Sequence, residues 1–170
     1  PLVLGFDLED SERRADVWPI ISNRRAIRVN QHWAGHAGSL VSASHNTFEK
    51  VVFHGAEHVK DNEPTTFSRW QVWAKPLSRD GSEVAVLLIN LGEDTLEESV
   101  SVSWKDLGFA GRNRSHFSVT DVWNGVTRSS ASNSRVFTFR GNLAGHDSAF
   151  LILSSSRTQA THVPSNKEGN

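Results

Sequence analysis

The 170-residue chain contains no cysteine and no methionine. Without cysteine it can form no disulfide, no iron–sulfur site and no thiolate zinc site. Without methionine the sequence as it stands does not begin at a translation start, and it opens on the apolar run Pro1-Leu-Val-Leu. The expectation is the interior of a longer protein, with any signal peptide and any catalytic residues lying upstream. An excess of one charge is lacking too. Eighteen Lys and Arg against nineteen Asp and Glu leave a formal net charge of −1. No large field exists to draw in a nucleic acid or an anionic membrane, so neither is expected as a partner. No apolar run approaches the ~18 residues that a membrane-spanning helix requires.

What is present divides at Ile27–Gly38. Before this stretch apolar residues recur at helical spacing, and after it they alternate at strand spacing. The stretch holds an amide pair (Asn30, Gln31), Trp33 and two glycines, the composition of a shaped junction. Upstream, Leu2–Phe6 is a short apolar run of the kind buried in a parallel sheet, and it ends in Asp7. Asp10 and Ser11 are candidate N-caps for a helix from Glu12 to Ser22, which Pro19 should kink. Its apolar face would be Ala15, Val17, Trp18 and Ile21. Asn23 is positioned to cap a second, short helix over Arg24–Asn30.

Residues 39–66 are polar and aperiodic and read as an irregular connection, with one possible strand near Lys50–Phe53 and Pro64 as its end. From Phe67 the period is two. Phe67, Trp70, Val72 and Ala74 share a strand, and Asp80-Gly81 marks a hairpin turn. Glu83–Asn90 is too apolar for a wet face and reads as a central strand. Val100, Val102 and Trp104 alternate against Ser99, Ser101 and Ser103. Further strands fall near His116–Trp123, Arg135–Arg140 and Ser148–Ser154. This spacing of short strands and turns describes an antiparallel sandwich. Residues 155–170 hold too little apolar surface to order and are expected to be a disordered tail.

Few residues carry the signature of chemistry. His54-Gly-Ala-Glu57-His58 fits the H-x-x-E-H pattern of inverted zinc peptidases. Against it stand Gly55, the absence of a helical apolar face and the absence of a third ligand on a later helix, so no metal is expected. Gly35 between His32 and His36 argues for a turn there. Neither a nucleophile elbow nor a phosphate-binding glycine loop is present. Trp70, Trp73, Trp104 and Trp123 would serve a sugar platform if exposed, but their strand positions favour core packing for most of them. Asn113-Arg-Ser115 is a glycosylation sequon, usable only in a secreted protein. Asp7, at the C-terminal end of a possible barrel strand, is either a site carboxylate or a cap for the loop or helix after it.

Pro1–Leu8, Trp18–Asn23, Ala26–Gln31 and Trp33–His36 together resemble the end of the catalytic barrel in glycoside hydrolase family 27, the α-galactosidases or melibiases. Trp70–Leu77, Val84–Asn90, Val102–Gly108, Thr120–Asn124 and His146–Leu153 are similar to that family's C-terminal sandwich, in the same order. The resemblance implies a mainly β chain, an antiparallel Greek-key β-sandwich preceded by the last β/α unit of a TIM (β/α)8 barrel. Its expected divisions are 1–38 for the barrel unit, 39–66 for the connection, 67–154 for the sandwich and 155–170 for the tail. It also implies a parent enzyme that hydrolyses terminal α-linked galactose with retention, using two carboxyl groups about 5 Å apart. In the family both aspartates lie on earlier barrel strands, in motifs this chain does not contain. No catalytic residue is therefore carried over, and the chain alone is expected to be inactive. Asp7 matches the family's aspartate at the end of the last strand and is expected at the rim of the site. Asn30, Gln31 and Trp33 are expected at the domain junction, with the amides tying off backbone groups. The resemblance implies no cofactor, a galactoside bound through the barrel, and a secreted, lysosomal or vacuolar location. The competing expectations are a non-catalytic carbohydrate-binding sandwich with a tryptophan platform, and a related α-N-acetylgalactosaminidase.

Overall fold

A computed structural model of the chain describes residues 9–51, 64–109, 116–131 and 134–155. Two helices come first, α1 (Ser11–Ile21) and α2 (Arg24–Gln31). Asp10 caps α1 by accepting from the amides of Glu12 and Arg13. The helix runs on through Pro19, whose missing donor falls near the end, and the Ser22 amide still reaches the carbonyl of Trp18. No residue of α1 is buried, and Trp18 remains 55% exposed. The expected apolar face of α1 is thus only partly covered by described residues: Val17 and Ile21 are half-buried, while Ala15 and Trp18 are exposed.

Among the described residues ten strands come after the helices. β1 (Ser39–Ala43), β4 (Trp70–Pro76), β5 (Glu83–Asn90), β7 (Phe117–Asp121), β8 (Thr127–Ser130) and β10 (Ser148–Ser155) build an antiparallel six-stranded sheet in the order β1-β4-β5-β10-β7-β8. β2 (Thr47–Val51) pairs with β3 (Pro64–Ser68), and β6 (Val100–Ser103) pairs with β9 (Val136–Phe139). The last strand, β10, is inserted between β5 and β7, so both of its partners are distant in sequence. The expected hairpin at Asp80-Gly81 joins β4 to β5. Gly81 adopts φ 68°, and Asp80 accepts from the Ser82 amide.

The described parts of 39–66, residues 39–51 and 64–66, are largely strand and not the irregular connection their composition suggests. Ser39–Ala43 is an edge strand of the large sheet, and Pro64 opens β3 instead of closing the segment. The physical reason is that both are edge pairings carried mostly by the backbone. Each has one large apolar cross-strand pair, Leu40 against Trp73 for β1 and Phe48 against Phe67 for β2–β3, the latter with ring centroids 5.9 Å apart. β8 also lacks a signal in the sequence, since all four of its residues are exposed. Ser155, which composition assigns to the tail, closes β10. The apolar run Leu2–Phe6 and the rest of the tail lie outside the described residues.

The core has two sides. On the inner face Val84, Val86 and Leu88 of β5 join Val100, Val102, Phe137 and Phe139 of the β6–β9 pair. At its centre is Trp104, 1% exposed, which meets Phe109, Phe117 and Phe137 edge-on at 5.4, 4.8 and 5.6 Å. Its indole nitrogen donates to the Ser134 carbonyl at 3.0 Å, so the ring is buried without an orphaned donor. On the outer face the alternate residues Ala85 and Ile152, with Leu77 and Val122, receive Val29 and Ala26 of α2. The molecule is therefore layered, with a helix, a large sheet and a small sheet in succession.

Candidate functional site

The face that α2 forms with the outer side of the large sheet concentrates the features not explained by the core. α2 carries Ala26 and Val29 three residues apart toward the sheet, with Arg25 and Arg28 on its flanks reaching sheet groups on either side. Asn23 fixes its start twice over. The Oδ1 atom accepts from the amides of Arg25 and Ala26, while Nδ2 donates to the carbonyl of Val122 at 3.1 Å. The Arg25 guanidinium lies over the backbone of Gly125, where a Cβ would collide with it. Arg28 pairs with Glu83 at 3.0 Å. At the far end, Lys75 Nζ donates to the carbonyls of Val29 and Asn30 at 2.6 and 3.1 Å, a cation on the unpaired carbonyls of a helix C-terminus.

The backbone tie expected of Asn30 and Gln31 is thus made by Lys75, because both amide side chains point to solvent. Trp33 lies just past the helix and is 63% exposed. With Trp73, Leu87 and Phe150 of the sheet and Val29 and Lys75, it lines an open groove of about 670 Å³. Trp73 and Leu87 are cross-strand partners on the outer face, and Trp73 is bridged to Gln71 through its indole nitrogen at 3.0 Å. The tryptophans consequently divide. Trp104 is core, Trp70 is half-buried with its indole nitrogen on Glu98 at 2.8 Å, and Trp123 meets Phe150 edge-on. Trp33 and Trp73 stay open.

The groove can bury an apolar surface. No described residue lining it is a carboxylate, whereas retaining glycoside hydrolysis needs two. Among the described residues no group of three or more His, Asp or Glu could hold a metal ion. Two carboxylates elsewhere have pKa values below their usual range. For Glu93 the cause is its hydrogen bond to His146 Nε2 at 3.0 Å, helped by the charges of His146 and Lys50. For Asp121 burial acts upward, but the backbone and side-chain amides of Asn124 outweigh it. Asp7, Asn113, His54 and His58 lie outside the described residues.

Comparison with protein families matches the model of the α-galactosidase C-terminal β-sandwich domain to residues 68–153, just over half of the chain. The chain belongs to this family. The matched span runs from the end of β3 to β10 and thus contains the whole inner core of the α-galactosidase C-terminal sandwich. β1, α1 and α2 stand outside it. Curated protein sequences yield no match. Among solved structures, α-galactosidase I from Mortierella vinacea superposes with a TM-score of 0.58 at 19% identity. An α-galactosidase from Saccharomyces cerevisiae, solved with raffinose, superposes with a TM-score of 0.59 at 17% identity. Both comparisons cover 92% of this chain, but only 33% and 40% of the respective enzymes. At these identities the likeness is one of fold, and the chain spans well under half the length of either enzyme.

Three contacts that hold α2 against the α-galactosidase-type sandwich were not legible in the sequence: that of Lys75, the second bond of Asn23, and Arg25 over Gly125. The parity of β4 does hold a signal for one of them. Val72 and Ala74 face inward, so Trp73 and Lys75 share the outer face with α2.

Proposed function

We propose that the chain is the C-terminal part of a retaining α-galactosidase and that its role is to support the catalytic barrel. Hydrolysis of terminal α-linked galactose would belong to residues outside this chain. The observation that carries the reading is the membership of residues 68–153 in the α-galactosidase C-terminal sandwich family. The outer face adds physical support. α2 is pinned there by Asn23, Arg25, Arg28 and Lys75, and beside it the groove with Trp33 and Trp73 leaves apolar area exposed. In this reading that area is covered by the barrel, with Asn30, Gln31 and Trp33 at the junction and Asp7 at the rim of the active site. The exposed apolar side of α1, with Trp18 and Ile20, would be covered with it. A secreted, lysosomal or vacuolar location accompanies the proposal.

The test is an assay of the isolated chain and of the longer protein on p-nitrophenyl α-galactoside and on the α-N-acetylgalactosaminide. The expected result is turnover by the longer protein only. Hydrolysis by the isolated chain, or an upstream sequence without barrel repeats and paired aspartates, would overturn the proposal.

A further inference from the structure

The small sheet has two strands and the large sheet has six, so the inner face of the large sheet cannot be covered along its whole width. Beside β9 the two layers separate into a cleft of about 540 Å³, within the range of small-molecule sites. Leu88, Val119, Leu151 and Phe139 supply an apolar floor. The polar groups stand above it: Glu98, Asp121, Asn124, Arg128, Arg140 and Asn142.

Two properties of the rim indicate what the cleft takes. First, its charges cancel, with two carboxylates against two guanidinium groups, so neither an anion nor a cation is favoured by the net field. The planar carboxylates, amides and guanidinium groups offer adjacent donors and acceptors, the complement of vicinal hydroxyls. Second, the rim is held in place before any ligand arrives. Asp121 binds both the backbone and the side-chain amide of Asn124, at 3.0 and 2.9 Å. Glu98 is anchored through one oxygen by Trp70. The Arg140–Leu143 segment is tied down by the paired backbones of Leu96 and Leu143, and by the buried Asn90, which donates to the carbonyls of Leu143 and Ala144 at 3.1 and 2.9 Å. Among the described residues, the side chains of Arg140 and Asn142 have no hydrogen-bond or ion-pair partner of their own. Their backbones are held and their tips are unspent, so they can meet a ligand without first breaking another hydrogen bond.

We propose that this cleft is a non-catalytic binding site for a neutral mono- or disaccharide. The ligand's apolar ring face would rest on the floor and its hydroxyls would meet Arg140, Asn142 and Asn124. The site differs from the groove at Trp33 and Trp73, which lies on the other side of the large sheet, and it does not depend on the reading of the parent enzyme.

The experiment is a titration of the full 170-residue chain, isotopically labelled for NMR, with melibiose and separately with inorganic phosphate. Saturable melibiose shifts are expected at amides 139–142, with a Kd of about 1 mM as suits an open site. Arg140→Ala and Asn142→Ala should each weaken binding about tenfold, as loss of a hydrogen bond from a fixed group does. Both side chains are exposed, so the thermal midpoint should not move, while Trp73→Ala should leave melibiose affinity unchanged. The proposal is overturned by the lack of saturable shifts up to about 50 mM melibiose, by shifts that track Trp33 and Trp73 instead, or by a preference for phosphate. Because the readout is binding to the isolated chain, its failure is distinguishable from a failure of the galactosidase assay.

Discussion

At the scale of single residues, Asn90 carries the most structure per side chain. It is fully buried, its Nδ2 donates to three carbonyls, those of Asp94, Leu143 and Ala144, and its Oδ1 accepts from Gly92. Asn90→Ala removes the side-chain donor from all three carbonyls and the acceptor from the Gly92 amide, though the Leu96 and Asp147 amides still reach the carbonyls of Leu143 and Ala144. It is expected to cost about 2 kcal/mol, read as a lower urea midpoint. Asn90→Asp should be worse at neutral pH, since it turns a buried donor into an anion facing three carbonyl oxygens. An Asn90→Asp protein as stable as Asn90→Ala at pH 7 would contradict this account. Asp121 yields a pH prediction. Its folded pKa is depressed, so the unfolded chain takes up the proton first. Its stabilisation is therefore complete above the unfolded value of about 3.9 and is lost as the pH falls through the lower, folded value. Thermal melts through that acid range should show a shallower loss for Asp121→Asn than for the unaltered chain. Equal slopes would remove Asp121 from the acid response.

At the scale of elements, the attachment of α2 decides how the outer face is shaped. An eight-residue helix is marginal alone, and this one persists because its ends are bound to the sheet. Gly125 is the sensitive point. It adopts φ 73° in the turn between β7 and β8, and a Cβ there would meet the Arg25 guanidinium. Gly125→Ala is expected to destabilise the chain by about 1 kcal/mol through backbone strain. It should also speed hydrogen exchange selectively in α2, because Arg25 must move. Uniform exchange changes, or none in α2, would show that the contact does not hold the helix. The hairpin at Asp80-Gly81 was readable from its dipeptide. β1 and β8 were not, and β2 was read only at its end, at Lys50 and Val51, because edge strands bury little and leave weak alternation in the sequence.

For the whole molecule, the layers define two surfaces with different prospects. The outer one is apolar and helical, and the inner one opens beside β9. If the outer face packs on a barrel, Trp73→Glu in the longer protein should lower its thermal midpoint and its galactosidase activity together. In the isolated chain the same change should be close to neutral, since Trp73 already meets water there. A large effect in the isolated chain and none in the longer protein would place Trp73 outside any domain contact. The sequence resemblance anticipated the family and the sandwich. It could not locate the groove, which is assembled from α2, β4, β5 and β10, nor the cleft, whose rim comes from segments between Glu98 and Asn142.

The sequence by itself determined the local elements: caps at Asp10 and Asn23, turns at glycines, and the alternation that sends Val84, Val86 and Leu88 to one face. These depend on neighbours along the chain, where period and steric preference act directly. Only the tertiary structure decided that β10 lies between β5 and β7, that Lys75 closes α2, and that Asn90 holds the 143–144 loop. Such contacts join residues 30 or more positions apart. They arise from where the sheet places its strands, a matter of packing geometry that leaves no periodic trace. The junction at Ile27–Gly38 shows both kinds of cause at once, a helix end written in composition and a groove made by the sheet beneath it.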